Sequence, residues 1–245
     1  MALNQMNEEF NDAFETYFPR LKGARRMGYN LSTSLILRLI RLQRRLLRGR
    51  RLENERIIEY PYIFQRIKPN SVVLDIGCTS SRLPIQLASL GHEVHAVDLL
   101  EYPFIHPNFH FHKANLFEWN PGRQFDSIIL LSVIEHFGLG IYGDSKMAGD
   151  KDKEAIERIT SWLKPHGQLL VTTTYGKPCI THKHRIYDKA RLDYIFPHSV
   201  FKRIDERYHQ RINEHWAPST SLALHDIDSS SLPANGSVVL DIEKI

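Results

Sequence analysis

The stretch SVVLDIGCTSSRLPIQLASLGHEVHAVDL, Ser71 to Leu99, limits what this chain can fold into more than any other. Val72 to Ile76 is a short unbroken apolar run, as a strand covered on both faces requires. Gly77 follows, where the chain must turn. Pro84 to Leu90 reads as a helix, because proline is tolerated in a first turn, and Gly91 ends it. Glu93 to Val97 is a second strand, and it stops at Asp98. Strand, glycine turn, helix and strand make a βαβ unit. Such a crossover implies parallel strands, with the helix packed on the sheet.

The same alternation continues downstream. Strands are expected at Phe109–Lys113, Asp126–Leu131 and Gln168–Thr174, then at Val200–Arg207 and Ser237–Ile242. Helices are expected at Lys151–Leu163, followed by the turn KPHG, and at Asp188–Phe196. The predicted fold is α/β: a three-layer sandwich around a mostly parallel seven-stranded sheet. The last two strands lie too close together for an ordinary crossover, so an antiparallel edge is expected. Upstream, Asn7–Phe18 reads as a short helix and Pro19–Asn30 as loop. Ser32 or Ser34 caps a helix to about Arg48, and Glu53–Ile67 is another, started or interrupted at Pro61. The chain therefore divides into a helical arm or cap, 1–56, and a main domain, 57–245.

Charge separates these two parts. Between Arg20 and Arg56 there are 12 Lys/Arg against two acids, Glu53 and Glu55, a balance of +10. The whole chain carries +4, which leaves −6 for the rest. No run approaches the roughly 18 apolar residues of a membrane span. The opening MALNQMNEEFNDAF has neither the basic head nor the apolar stretch of a secretory signal. Two cysteines, Cys78 and Cys179, make no disulfide framework, so a cytoplasmic setting is expected.

A ligand at the carboxyl ends of parallel strands approaches the backbone closely, and Gly77 permits that. Asp98 can accept hydrogen bonds from two ribose hydroxyls. A diphosphate cofactor needs the full G-x-G-x-x-G turn, and GCTSSR lacks it. A cofactor without phosphate asks less of the loop.

VVLDIGCTSSRLPIQLASLGHEVHAVDL resembles the cofactor-binding half of class I (Rossmann-like) S-adenosylmethionine-dependent methyltransferases. The family's first motif is D-x-G-x-G-x-G; this chain keeps Asp75 and Gly77 and has Thr79 and Ser81 at the later glycines. The resemblance continues through FHFHKANLFEW, QFDSIILLSVIEHFGLG and LKPHGQLLVTTTY, in the order and spacing of the third to fifth motifs. It implies S-adenosylmethionine as cofactor. Asp75 would organise the loop near the amino acid end of the cofactor, and Gly77 would make room for it. Cys78, in the same turn, is a further cofactor-site candidate, as a small buried residue rather than a nucleophile. Asp98, with Leu99 beside it, would hold the ribose. Asn115 would accept from the adenine amino group through its amide oxygen, Leu116 would line the adenine pocket, and Ser132 would lie beside the methyl group.

SVIEHFGLGIYGD follows an apolar strand, which puts Glu135 and His136 at the ligand end of the sheet. Methyl transfer to oxygen or nitrogen requires the nucleophile to lose a proton, and an imidazole suits that task near neutral pH. His136 is the expected base. Glu135 would orient it, bind a substrate hydroxyl or face the cofactor. IEHFGLGIYGD resembles a subgroup encoded among genes for polysaccharide and secondary-metabolite tailoring, which implies a hydroxyl on a sugar or small molecule as acceptor. Tyr142, Tyr175, His182, His184 and Arg185 are the candidates to line the acceptor pocket. Small-RNA 2′-O-methyltransferases place E-x-x-E-H at a magnesium site. Here the first Glu position is Ser132, so that set is incomplete and no metal is assigned, although Glu135, His136, His182 and His184 include metal-ligand types.

The arginine-rich arm has three readings: a lid whose leucines cover the body, a face for an anionic membrane surface, or an RNA contact. The function expected is O-methylation of a glycan or small-molecule hydroxyl. The rivals are an RNA methyltransferase working through the arm and a non-catalytic binding module.

Overall fold

The structure is a computed structural model that describes residues 54–140, 150–231 and 233–245. Residues 1–53 of the arm, with its expected helices at Asn7–Phe18 and 32–48, lie outside those residues, as does Tyr142.

Helix α1, Arg56–Arg66, leads into strand β1, Val72–Ile76, and helix α2, Leu83–Ser89. Strands β2, Glu93–Asp98, β3, Phe109–Lys113, and β4, Phe125–Leu131, follow. A 3-10 turn, Ile134–His136, comes next. After it lie helix α3, Lys151–Trp162, and strand β5, Leu163–Thr174. A two-stranded hairpin, β6 (Cys179–Ile180) and β7 (Arg185–Ile186), precedes helix α4, Lys189–Ile195. Strands β8, Phe201–Ile212, and β9, His215–Ser219, helix α5, Ser221–Leu224, and strand β10, Gly236–Lys244, complete the described chain.

The main sheet runs β3-β2-β1-β4-β5-β10-β8-β9. Its first five strands are parallel, and β10, β8 and β9 are antiparallel. The sheet thus has eight strands among the described residues, where seven were expected. The additional one is β9. It pairs with β8 across a tight turn in which Asn213 and Glu214 both take left-handed conformations, φ 49° and 69°. Its sequence, HWAPS, carries a proline, tolerated there because β9 is an edge strand. The KPHG segment is a bulged start to β5, with His166 at φ 57° and a register shift opposite Phe125 and Ser127.

Period-two alternation sends side chains of one strand to opposite faces, and the unbroken apolar runs of β1 and β4 fill both. Leu74, Ile76, Ile128 and Leu130 join Ile156 and Ile159 of α3 in one core. Val73, Ile129 and Leu131 join Tyr62 and Ile63 of α1 and Leu83 and Leu87 of α2 in the other. Helix α1 runs through Pro61 without breaking. Its residues 59, 62 and 63 share one face by helical spacing, and all three are buried. That face includes a carboxylate, Glu59. Among the described residues no helix is long and apolar enough to cross a membrane.

Candidate active site

Strand order reverses between β1 and β4, which opens a crevice beyond their carboxyl ends. A cavity of about 350 Å³ lies there. Gly77 forms its floor with φ 75°. A Cβ on Gly77 would come within 2.4 Å of Val133 Cγ2, so both conformation and space demand glycine. The later glycines of the motif are not needed here. No residue from 78 to 81 has a positive φ. Instead, the Ser81 hydroxyl accepts from the Leu83 N–H at the start of α2 at 3.0 Å, and it meets the Tyr60 hydroxyl at 2.9 Å. Tyr102 donates to the Ser81 carbonyl at 2.9 Å.

Asp98 closes β2 at the cavity wall. Its Oδ2 accepts from the Thr79 N–H at 2.8 Å and its Oδ1 from the Leu100 N–H at 2.9 Å. Each carboxylate oxygen keeps acceptor capacity after one such bond, as a vicinal diol requires. Leu99, Leu116 and Phe117 give the adjoining wall an apolar surface for a flat ring. Asn115 lines the same wall. Its amide oxygen accepts from the Phe117 N–H at 3.1 Å and its amide nitrogen donates to Glu118 at 3.2 Å, so the oxygen's second lone pair is the one left for a ligand donor. Glycine floor, acid at the strand end and apolar wall together fit the adenosyl group that the sequence implies.

Ser132 stands just past β4 in a left-handed conformation, φ 48°. Its N–H donates to the Thr172 hydroxyl at 2.9 Å, and its hydroxyl donates to Glu59 at 2.5 Å. Glu59 also accepts from Thr172 at 2.7 Å and from the Arg56 guanidinium at 2.5 Å. A fully buried carboxylate from α1 thereby links the ends of β4 and β5, and both Arg56 and Glu59 line the cavity. Nothing in the sequence marks this pair as part of a site. An Arg and a Glu three apart on a helix read as an ordinary surface pair, and only the apolar partners Tyr62 and Ile63 on the same face hinted at burial.

Glu135 and His136 both reach the cavity. Glu135 is buried and accepts from the Thr173 hydroxyl at 2.9 Å; burial pushes its carboxyl above the usual range, against the pull of His136. The His136 Nδ1 lies 2.7 Å from the Lys183 carbonyl, an acceptor, so Nδ1 carries the proton and the lone pair of the neutral ring is on Nε2. His184 also lines the cavity, and its Nε2 donates to the Ser229 carbonyl at 3.0 Å. Burial holds its imidazole below the usual range.

Five other expected residues sit elsewhere. Tyr175 is in the core against Tyr208, with ring centroids 4.7 Å apart. Arg185 is buried and directed to Asp152, at 3.2 Å, because that fully buried acid needs cationic partners. His182 is exposed and does not line the cavity. Cys78 packs with α1 and α2 in the second core, where burial pushes its thiol up. Asp75 shares the Val73 face of β1, so it points behind the turn rather than into the cavity.

Both Asp75 carboxylate oxygens are buried without a hydrogen-bond partner. Burial pushes this carboxyl up to about 8, against the pull of Arg56 and with a smaller push from Asp98. An unfolded aspartate titrates near ~3.9. Between about pH 4 and 8 the unfolded chain has therefore lost a proton that the folded chain keeps, and stability falls as pH rises through that window. Asp75→Asn removes the effect. Its stability relative to the parent is expected to rise with pH by up to about 1.4 kcal/mol per unit. Urea unfolding at pH 5, 6.5 and 8 checks this, and parallel curves for the two proteins contradict it.

Residues 46–227 match a protein-family description, "Methyltransferase domain". No curated protein sequence matches the chain. The fold is similar to the 1,6-didemethyltoxoflavin-N1-methyltransferase of Burkholderia thailandensis, solved with 1,6-didemethyltoxoflavin and S-adenosylhomocysteine. The TM-score is 0.53 and the identity 16%, over 92% of each chain. It is similar to the N-methyltransferase NodS of Bradyrhizobium japonicum, with a TM-score of 0.52 and 10% identity over 78% of this chain and 96% of that one. It is also similar to a methyltransferase from Methanosarcina mazei, with a TM-score of 0.51 and 14% identity over 76% of this chain and 98% of that one.

Proposed function

The chain belongs to the methyltransferase-domain family and is an S-adenosylmethionine-dependent methyltransferase; on that premise we propose that it methylates a hydroxyl of a small molecule, sugar hydroxyls included, with His136 as general base. One observation supports this reading: the hydrogen bond from His136 Nδ1 to the Lys183 carbonyl, which puts the lone pair of the neutral ring on Nε2, in a residue that lines the same cavity as Gly77 and Asp98. S-adenosylmethionine supplies an electrophilic methyl group on a sulfonium. Asp98 holds the ribose through its remaining acceptor capacity, and Leu99, Leu116 and Asn115 take the adenine. Ser132, fixed by Glu59 and Thr172, borders the reacting end. With the cofactor bound, His136 Nε2 would take the acceptor's hydroxyl proton as that oxygen bonds to the methyl carbon, the methyl–sulfur bond would break and S-adenosylhomocysteine would leave. Buried Glu135, held by the Thr173 hydroxyl, positions the acceptor by hydrogen bonding.

The small-molecule acceptor draws support from the 1,6-didemethyltoxoflavin bound in the Burkholderia structure. An amine acceptor is the second reading, favoured by the N-methyltransferase names of that protein and of NodS. Incubating the protein with S-adenosylmethionine and pools of glycosides, phenols, amines and RNA, followed by mass spectrometry, separates these. A gain of one methyl mass on a hydroxyl compound supports the proposal. A gain on amines or RNA alone overturns it.

Asp98→Ala is expected to weaken cofactor binding on the order of a hundredfold, because two hydroxyls lose a charged acceptor. Calorimetric titration with S-adenosylhomocysteine checks this. Unchanged affinity removes Asp98 from the cofactor site.

A further inference from the structure

Along β2 and β3, with Glu93 about 16 Å and His95 about 10 Å from Asp98 by strand rise, the sequence places EVH beside HFH. The parallel register sets His95 opposite His110, and period-two alternation puts Glu93, His95, His110 and His112 on one face. The rings gather there. His95 and His110 have centroids 4.8 Å apart, and His95 stacks on His112 at 5.7 Å. One ligand-type atom from each of Glu93, His95 and His110 lies within 4.8 Å of the others.

Arg123 shows what this face attracts. Its Nη1 lies 2.6 Å from Glu93 Oε1 and 3.1 Å from His95 Nε2. Glu93 Oε1 and His95 Nε2 are 3.0 Å apart, within hydrogen-bond distance of each other, and both lie within 3.1 Å of Arg123 Nη1, so one cation already sits against the carboxylate and the ring. Two donors on a zinc ion stand about 3.4 Å apart at tetrahedral angles. Glu93 and Arg123 are about two-fifths exposed and His110 is exposed, so these side chains are free to rotate and close the remaining distance.

The geometry points to a second site on this protein: Glu93, His95 and His110 bind a divalent transition-metal ion of the zinc class, and the Arg123 guanidinium holds the place of that cation. Two imidazoles and a carboxylate are a zinc-type donor set, with His112 beside it as a fourth nitrogen. None of these residues lines the active-site cavity, so the inference stands independently of the proposed reaction.

The test is competition for Zn²⁺ between the tag-free full-length chain and a chromophoric chelator. One equivalent is expected to bind. His110→Ala, an exposed substitution that leaves the fold intact by circular dichroism, should weaken binding about tenfold or more, and Glu93→Gln should do likewise. Arg123→Ala should tighten binding, because it removes the competing charge. Failure of the parent chain to bind Zn²⁺ overturns the inference. So does equal affinity in His110→Ala and Glu93→Gln, or weaker binding in Arg123→Ala.

Discussion

Replacing His136 by alanine is expected to lower kcat by about 10²–10⁴-fold while leaving S-adenosylhomocysteine affinity within about twofold, the range for loss of a positioned general base. The reason is local. His136 is half-buried in the 3-10 turn after β4, held by the Lys183 carbonyl at 2.7 Å. Alanine removes both the proposed base and that tie to the β6–β7 hairpin. His136→Asn separates the two effects, because the amide can still donate to the carbonyl but cannot take a proton. It should fall as far as alanine in kcat and unfold with the parent. Single-turnover methyl transfer and thermal melts measure these. An active His136→Asn variant moves the base elsewhere.

Glu59→Ala is expected to destabilise the fold by about 3–5 kcal/mol, the range for breaking a buried ion pair by removing one partner. Arg56 would lose its carboxylate, and the hydroxyls of Ser132 and Thr172 would lose the acceptor they share. For a domain of this size the melting temperature should drop by about 10 °C. Glu59→Gln keeps the shape and an acceptor oxygen and should recover about half of that. Calorimetric melting of the three proteins decides it, and a shift under ~2 °C for Glu59→Ala shows that the network contributes little.

Much of the fold was legible because it rests on short-range pattern. β1 and β4 are unbroken apolar runs, and such runs need cover on both faces wherever the chain goes. Gly91 ends α2 through φ 96°, a conformation that favours glycine. β9 escaped notice because its length, its proline and its polar residues give no period-two signal. Its only sequence trace is the Asn213–Glu214 turn.

The site divides the same way. Gly77, Asp98, Leu99, Asn115, Leu116, Ser132, Glu135 and His136 follow strand ends, and in a parallel sheet all strand ends meet at one edge, so their common cavity follows from the motif order. His184 reaches that cavity from the hairpin while Arg185, one residue on, faces Asp152. Alternation along a strand explains that the two diverge, but not which of them faces inward.

The residues alone determined the parallel layering, the glycine floor and the acid at the end of β2, because each follows from backbone sterics or strand periodicity within a few positions. Only the tertiary structure decided that Glu59 would be drawn into the cavity wall, that Asp75 would be shut behind the turn, and that the histidines of β2 and β3 would share a face with Arg123. Those outcomes depend on which distant elements pack together, and burial and charge pairing across the sheet act through space rather than along the chain.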